Sequence, residues 1–210
     1  AAATAGKVAP PIPPLGQRIA VARDVAFGFA YAATLEGWRD SGAELAFFSP
    51  LGDEAPAADA DAVFLPGGYP ELHAGRLAAN AGFLGGLRRA AQRGAAIYGE
   101  CGGYMVLGEG LVDAGGTRHA MAGLLPAVTS FAERRLHLGY RQARLLADGP
   151  LGRAGATFRC HEFHYASVVS EGDSPPLFAG QDARCRDLGS LGRRQGSVLG
   201  SFLHLIDRAP

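Results

Sequence analysis

The residues with the clearest chemical potential lie in the run 97–104, IYGECGGY. It reads as a buried strand, a Gly99-Glu100-Cys101-Gly102-Gly103 corner and the start of a helix. A G-x-C-x-G corner between strand and helix is a nucleophile elbow with a thiol as the attacking group. Glycines flank the cysteine because so tight a turn leaves no room for Cβ atoms. The turn would lift the Cys101 sulfur above the sheet at a helix N-terminus, where the dipole and unpaired N–H groups favour thiolate. The same five residues would also make a plain glycine-rich turn around a buried structural cysteine. The choice rests on what the chain places nearby.

A thiol nucleophile needs a base, and donors for the oxyanion it creates. His73 and His119 sit in polar, helix-like or loop surroundings, and His137 precedes a strand without an obvious partner. His161 and His164 belong to CHEFHY (160–165), a polar cluster inside an apparent strand. His204 ends the apolar run VLGSFLH (198–204) at a C-terminal strand edge, where open α/β sheets place their sites. His204 is thus the first candidate for the base, with His161 and His164 behind it. The HEFH segment does not read as a metal site, because residues three apart on a strand point to opposite faces. Glu162 and His164 share a face and can hydrogen-bond. Cys160 and Cys185 read as small buried hydrophobes. Gly67 and Gly68 follow the apolar run 62–65 and could either make a simple turn or aim backbone N–H groups at a developing negative charge. No Lys or Ser/Thr follows them, as a phosphate loop would require.

The elements that must hold these groups alternate. An apolar strand at 19–22 leads to a helix whose apolar positions Phe27, Ala30, Tyr31, Thr34, Leu35 and Trp38 keep helical spacing, with Gly42 after its end. Strands follow at 44–48 and 62–65, the second apolar throughout, as in a strand buried on both faces. Pro70 and Glu71 suit the first turn of a helix that breaks near 80–82, resumes, and stops at Gly94 before the strand 95–98. This alternation predicts an α/β fold with an open, mostly parallel, flavodoxin-like sheet and helices on both faces. Beyond Leu111 the strands lengthen and alternate (137–146 and 156–170), adding an antiparallel section, with 171–180 as a polar loop.

Composition narrows the possible partners. The 210 residues carry 20 Lys and Arg against 20 Asp and Glu, without a basic run, which argues against nucleic acid or an anionic membrane as partner. No apolar stretch approaches the length of a membrane span. Three widely spaced cysteines in a chain of this size point to a reducing, cytoplasmic setting. Residues 1–16 (AAATAGKVAPPIPPLG) read as a Pro-rich interdomain linker, and 17–210 as the domain it precedes.

Taken together, PGGYPE (66–71), YGECGGYM (98–105), LGYR (138–141), CHEFHY (160–165) and GSFLHL (200–205) resemble the class I glutamine amidotransferase domains. More closely, they resemble the C-terminal glutaminase half of cobyrinic or hydrogenobyrinic acid a,c-diamide synthases. The early segment 23–29 and FFSPL (47–51) share that resemblance. It implies that glutamine is hydrolysed to glutamate and ammonia through a thioester on Cys101, with His204 as the base. It further implies Gly68 and Gly102 as oxyanion donors, and Gly67, Tyr69, Phe163, His164 and Tyr165 around the glutamine. The resemblance also implies an upstream ATP-dependent synthetase domain that binds the corrinoid, uses ATP and Mg2+, and receives the ammonia. No cofactor or metal is expected in the present segment, and a homodimer is compatible with the resemblance. The same chemistry would serve cobyric acid synthase or a nickel-tetrapyrrole a,c-diamide synthase. A cysteine-elbow peptidase and a non-enzymatic binding domain are the other classes, the first disfavoured by PGGYPE and the second by Cys101 and His204 together. One departure stands out: the general pattern is His-x-Glu, but here Ile206 occupies the carboxylate position. A Cys–His dyad is the expectation, with Glu162 or Asp207 as possible substitutes.

Overall fold

The computed structural model describes residues 12–209. Its first half holds β1 (Arg18–Ala22), α1 (Ala32–Asp40), β2 (Glu44–Phe48), β3 (Ala62–Leu65), α2 (Ala74–Ala79), α3 (Ala81–Gln92), β4 (Ala96–Glu100) and α4 (Gly102–Leu107). The second half is almost all strand. It comprises β5 (Gly110–Val112), β6 (Arg118–Ala120), β7 (Ala127–Ser130), β8 (His137–Leu145), β9 (Thr157–His164), β10 (Ser167–Glu171), β11 (Pro176–Asp182), β12 (Asp187–Gln195), β13 (Val198–Ser201) and β14 (Leu203–Arg208).

Ten strands form one sheet in the order β14-β9-β8-β11-β12-β13-β4-β3-β1-β2. The segment β2-β1-β3-β4-β13 is parallel. Every pairing from β13 through β12, β11, β8 and β9 to β14 is antiparallel. The α/β class holds, but the sheet is mixed rather than mostly parallel, because antiparallel hairpins replace βα units after α4. A second sheet, β10-β7-β5-β6, covers part of the molecule.

The parallel strands are buried on both faces, which is why they read as unbroken apolar runs. Alternate residues feed two separate cores. Ala20, Ala22, Val63, Leu65 and Ile97 join the α3 and α4 side with Phe83, Leu87 and Met105. Ile19, Val21, Phe64 and Tyr98 join the opposite side with Trp38 of α1. Of the expected linker, residues 1–11 lie outside the described residues. Ile12 and Leu15 are buried in that second core, and the Trp38 indole N–H donates to the Ile12 carbonyl at 3.1 Å.

Four expected elements differ. The first helix begins at Ala32, not near Phe27, because the segment before it is braced across the Gly67-Gly68 turn: Phe29 N–H donates to Gly67 O and Tyr69 N–H to Ala26 O. The long strand expected over 156–170 splits at Tyr165-Ala166, so β9 and β10 enter different sheets. The loop expected at 171–180 overlaps β11, which pairs with both β8 and β12. The run 198–204 is two strands: β13 lies parallel to β4, Phe202 interrupts, and β14 crosses to pair with β9. His204 therefore sits near the start of a strand rather than at the end of one.

Candidate active site

β13 and β4 run in register, Ser201 beside Glu100 and Gly200 beside Gly99. The Cys101 N–H donates to Ser201 O at 2.8 Å, so the elbow and the residue three positions before His204 are stitched together. Cys101 then turns through φ 47°, ψ −103° into α4. A left-handed backbone at a non-glycine residue costs on the order of 1–3 kcal/mol and persists only where its surroundings enforce it. Glycine is required around it by close approach. A Cβ on Gly68 would overlap the Ala26 carbonyl, and one on Gly67 would overlap the His204 ring. On Gly102 it would fall 3.1 Å from Gly68 N and 2.8 Å from Pro70 Cδ.

These approaches bring the Gly68 amide beside the elbow. Among the described residues no acceptor takes the Gly68 N–H, while the Gly102 N–H addresses the Cys101 sulfur. A small cleft above the sulfur is lined by Phe29, Gly68, Tyr69, Glu71, Cys101, Met105, Phe131, Phe163, His164 and Tyr165. It shares Tyr69, Glu71, Phe131 and Tyr165 with a wider cavity that extends to Arg134 and Leu136. Gly67 packs against the His204 ring, which lines a separate hollow with Tyr31 and His161. The expected site residues are thus in one neighbourhood, although Gly67, Gly102 and His204 do not line the cleft itself.

The resting electrostatics correct one expectation. Burial pushes the Cys101 thiol up to about 12; the Gly102 N–H offsets little of this, and Glu71, Glu100 and Glu162 add repulsion. The thiol is therefore neutral at rest, not a dipole-stabilised thiolate, and it donates to the Phe163 carbonyl at 3.6 Å. Its proton must be removed by a base. Burial, assisted by His161 and His164, holds His204 down to about 4, so the imidazole is neutral and able to accept.

The other histidines separate cleanly. His161 pairs with His204 across β9 and β14, and their rings stack at 4.6 Å. His164 points to the opposite face, where it stacks on His137 and Phe202. Its Nδ1 bonds Ala166 O at 3.0 Å and its Nε2 bonds Glu162 Oε1 at 2.9 Å. Arg141 donates to the other Glu162 oxygen at 2.8 and 2.9 Å. His137, Glu162 and His164 do bring ligand atoms within 4.8 Å of one another. The Arg141 guanidinium already occupies the cation's place beside Glu162, so the cluster is a closed polar network rather than a metal cradle.

Two residues were missed by the sequence reading. Glu71 was read as a helix-dipole residue, yet it lines both cavities, and its Oε2 is buried without a hydrogen-bond partner. Burial raises its pKa, opposed by its own backbone N–H and by Arg134. Glu100 is 5% exposed, accepts the Leu205 N–H at 3.1 Å, and lies 3.9 Å from His204 Nδ1. A carboxylate closing an otherwise apolar strand directly before the nucleophile was the available signal. The substitutes considered for the missing His-x-Glu carboxylate are engaged elsewhere, Glu162 as described and Asp207 in a paired contact with Arg159 at 2.7 and 2.9 Å.

Comparison with known proteins bears on this arrangement. Hydrogenobyrinate a,c-diamide synthase of Sinorhizobium sp is 62% identical over 200 residues, covering 93% of this chain and 44% of the relative. The enzyme of the same name from Brucella anthropi is 59% identical over 94% of this chain and 45% of the relative. The chain thus spans less than half the length of the curated relatives it matches. A crystal structure of a glutamine amidotransferase from Thermotoga maritima superposes with a TM-score of 0.56 at 14% identity, over 89% of this chain and 75% of that one, which marks a shared fold. No helix among the described residues is long and apolar enough to cross a membrane. Residues 18–209 match the CobB/CobQ-like glutamine amidotransferase domain, and the chain belongs to that family.

Proposed function

We propose that this domain releases ammonia from glutamine through a thioester on Cys101. In its larger protein, the ammonia amidates the a and c acetate groups of hydrogenobyrinic acid. The observation that carries the reading is the convergence of an elbow thiol, an unclaimed Gly68 N–H and a neutral buried imidazole at one sheet edge. His204 takes the thiol proton as sulfur attacks the glutamine side-chain carbonyl. The Gly68 and Gly102 N–H groups hold the oxyanion. When the C–N bond breaks, His204 returns the proton to the departing nitrogen, and a water deprotonated by the same imidazole then hydrolyses the thioester to glutamate. Tyr69, Phe163, His164 and Tyr165 wall the glutamine, Gly67 packs against the His204 ring, and the Glu71 carboxylate, with Oε2 unpartnered, receives the α-ammonium, with Arg134 beyond it for the α-carboxylate.

The remaining part of the relatives' length supplies the ATP- and Mg2+-dependent synthetase that binds the corrinoid. Exposed Tyr69, Leu72, Leu136 and Tyr165 line the wider cavity beside the cleft, which supports a docking face for that part. The resting thiol bonds a carbonyl instead of the base, so the segment alone should turn over glutamine slowly, since closure by a partner completes such sites. Glutamate release by this chain, alone and with the rest of its protein, tests the reading. Cys101→Ala and Cys101→Ser should reduce it to background with the fold intact; undiminished turnover in both removes Cys101. Glu71→Gln should raise KM about tenfold or more, with kcat less affected. Cleavage of peptides in preference to glutamine would make the domain a peptidase.

A further inference from the structure

We infer that Glu100, the residue immediately before the nucleophile, positions His204 from the nucleophile's own strand, in place of the carboxylate missing at Ile206. This rests on the glutaminase reading above and adds a part to it. Three observations carry it. Glu100 Oε1 accepts the N–H of Leu205, so the carboxylate grips the backbone of β14 one residue from the base. Its Oε2 is 3.9 Å from His204 Nδ1, with both groups almost fully buried. Among the described residues, Glu162 and Asp207 have both oxygens bonded to other partners.

A base of this kind must present one ring nitrogen bare, and the nitrogen that carries the proton is set by what the other one meets. Once ionised, as it is at pH 9, the Glu100 carboxylate is an acceptor at Nδ1 that holds the proton there and leaves Nε2 free for the Cys101 proton. It also stabilises the imidazolium that then forms. A separation of 3.9 Å is longer than a hydrogen bond. A shift of about 1 Å closes it, and such contacts tighten when substrate completes a site. The long Glu100–His204 contact thus accompanies the thiol–carbonyl bond: neither member of the dyad is yet engaged with the other.

The Leu205 amide makes the decisive variant unusually clean. In Glu100→Gln the amide oxygen stays on the Leu205 N–H, because only an acceptor satisfies it, and the NH2 group is turned toward Nδ1. Backbone support is kept while the acceptor at the ring becomes a donor, which forces the proton to Nε2. A purely structural Glu100 would tolerate this exchange.

The test uses the purified chain with 15N-labelled histidine at pH 9, His204 being assigned by its absence in His204→Asn. The expected result is a protonated Nδ1 in the wild type and a protonated Nε2 in Glu100→Gln. Glutaminase kcat should fall about 100-fold or more at nearly unchanged KM. Glu100→Asp, which keeps an acceptor on a shorter arm, should recover part of the rate and the wild-type tautomer. The same tautomer in wild type and Glu100→Gln, or a kcat within threefold, overturns the inference. Because the tautomer needs no substrate, this failure is separable from failure of the glutaminase reading, which would appear as activity surviving in Cys101→Ala.

Discussion

Two buried histidine–glutamate pairs lie within this domain, and they are built in opposite ways. Around His164 every polar atom is spoken for: both ring nitrogens are bonded, and Glu162 is shared between the ring and Arg141. Around His204 the carboxylate stands 3.9 Å off, and among the described residues no Lys or Arg pairs with it. Burial opposes ionisation of Glu162, but His164 and Arg141 outweigh it and hold the group below the usual carboxylate range. Burial of Glu100 meets only the Leu205 N–H and the Tyr98 hydroxyl, and it drives that group up to about 8. A satisfied network fixes geometry, here the backbone of Phe163 and Tyr165 that walls the cleft. An unsatisfied pair stores the capacity to move a proton.

The sharpest way to break this contrast is to exchange each histidine for asparagine. His204→Asn should lower kcat on the order of ~100-fold or more, because the proton acceptor is gone. His164→Asn should leave kcat within a few-fold while raising KM and reducing stability by roughly 1–3 kcal/mol, the cost of a broken buried hydrogen bond. Steady-state glutaminase kinetics beside thermal unfolding would separate the two. If His164→Asn is the one that destroys kcat, the base has been assigned to the wrong ring.

This division explains what could be read from the chain and what could not. β1, β3 and β4 were plain because strands buried on both faces are apolar throughout, and the elbow was plain because its glycines follow from local sterics. The start of α1 was not, because Phe27 keeps helical spacing yet is buried by packing in the segment braced over the Gly67-Gly68 turn. Nor was the break at Phe202: β13 and β14 form one apolar stretch, and only the stacking of Phe202 on His164 and against Tyr104 marks the switch between pairing partners. Cys101, His204, Gly68 and Gly102 were legible as residue types in motifs. The roles of Glu71 and Glu100 were not, since the first depends on a buried oxygen left without a partner and the second on a contact with His204 that only the packing of β14 beside the elbow creates.

A smaller effect should follow from loosening the satisfied network while leaving the dyad intact. Glu162→Gln keeps the size of the side chain but removes the charge that balances Arg141. The expected outcome is a several-fold rise in KM for glutamine with kcat nearly unchanged, because the wall carrying Phe163 and Tyr165 shifts while Cys101 and His204 remain. An equal fall in kcat and kcat/KM would instead tie Glu162 to the transition state.

The two carboxylates should also give stability opposite slopes with pH. Glu162 has a depressed pKa in the folded protein, so its contribution is present above the unfolded carboxylate pKa of about 4.3 and is lost as pH falls through the folded value. Glu100 has a raised one: the unfolded chain ionises near 4.3 while the folded domain holds the proton until about 8, so this group costs progressively more stability as pH rises across that window. At pH 7.5, Glu162→Gln should therefore lower Tm, whereas Glu100→Gln should raise it by a few degrees, on the order of 1 kcal/mol for a domain of this size. The gain should shrink as pH falls and vanish below about 4.3, where wild-type Glu100 is protonated in both the folded and the unfolded state. Thermal unfolding of the wild type and the two variants from pH 3 to 8 reads both slopes, Glu162 below about 4.3 and Glu100 above it. A variant at Glu100 that is more stable and less active would show that the unsatisfied pair is held in place at the fold's expense, as functional sites commonly are. Parallel slopes for the two variants would mean that Glu100 is solvated or paired after all.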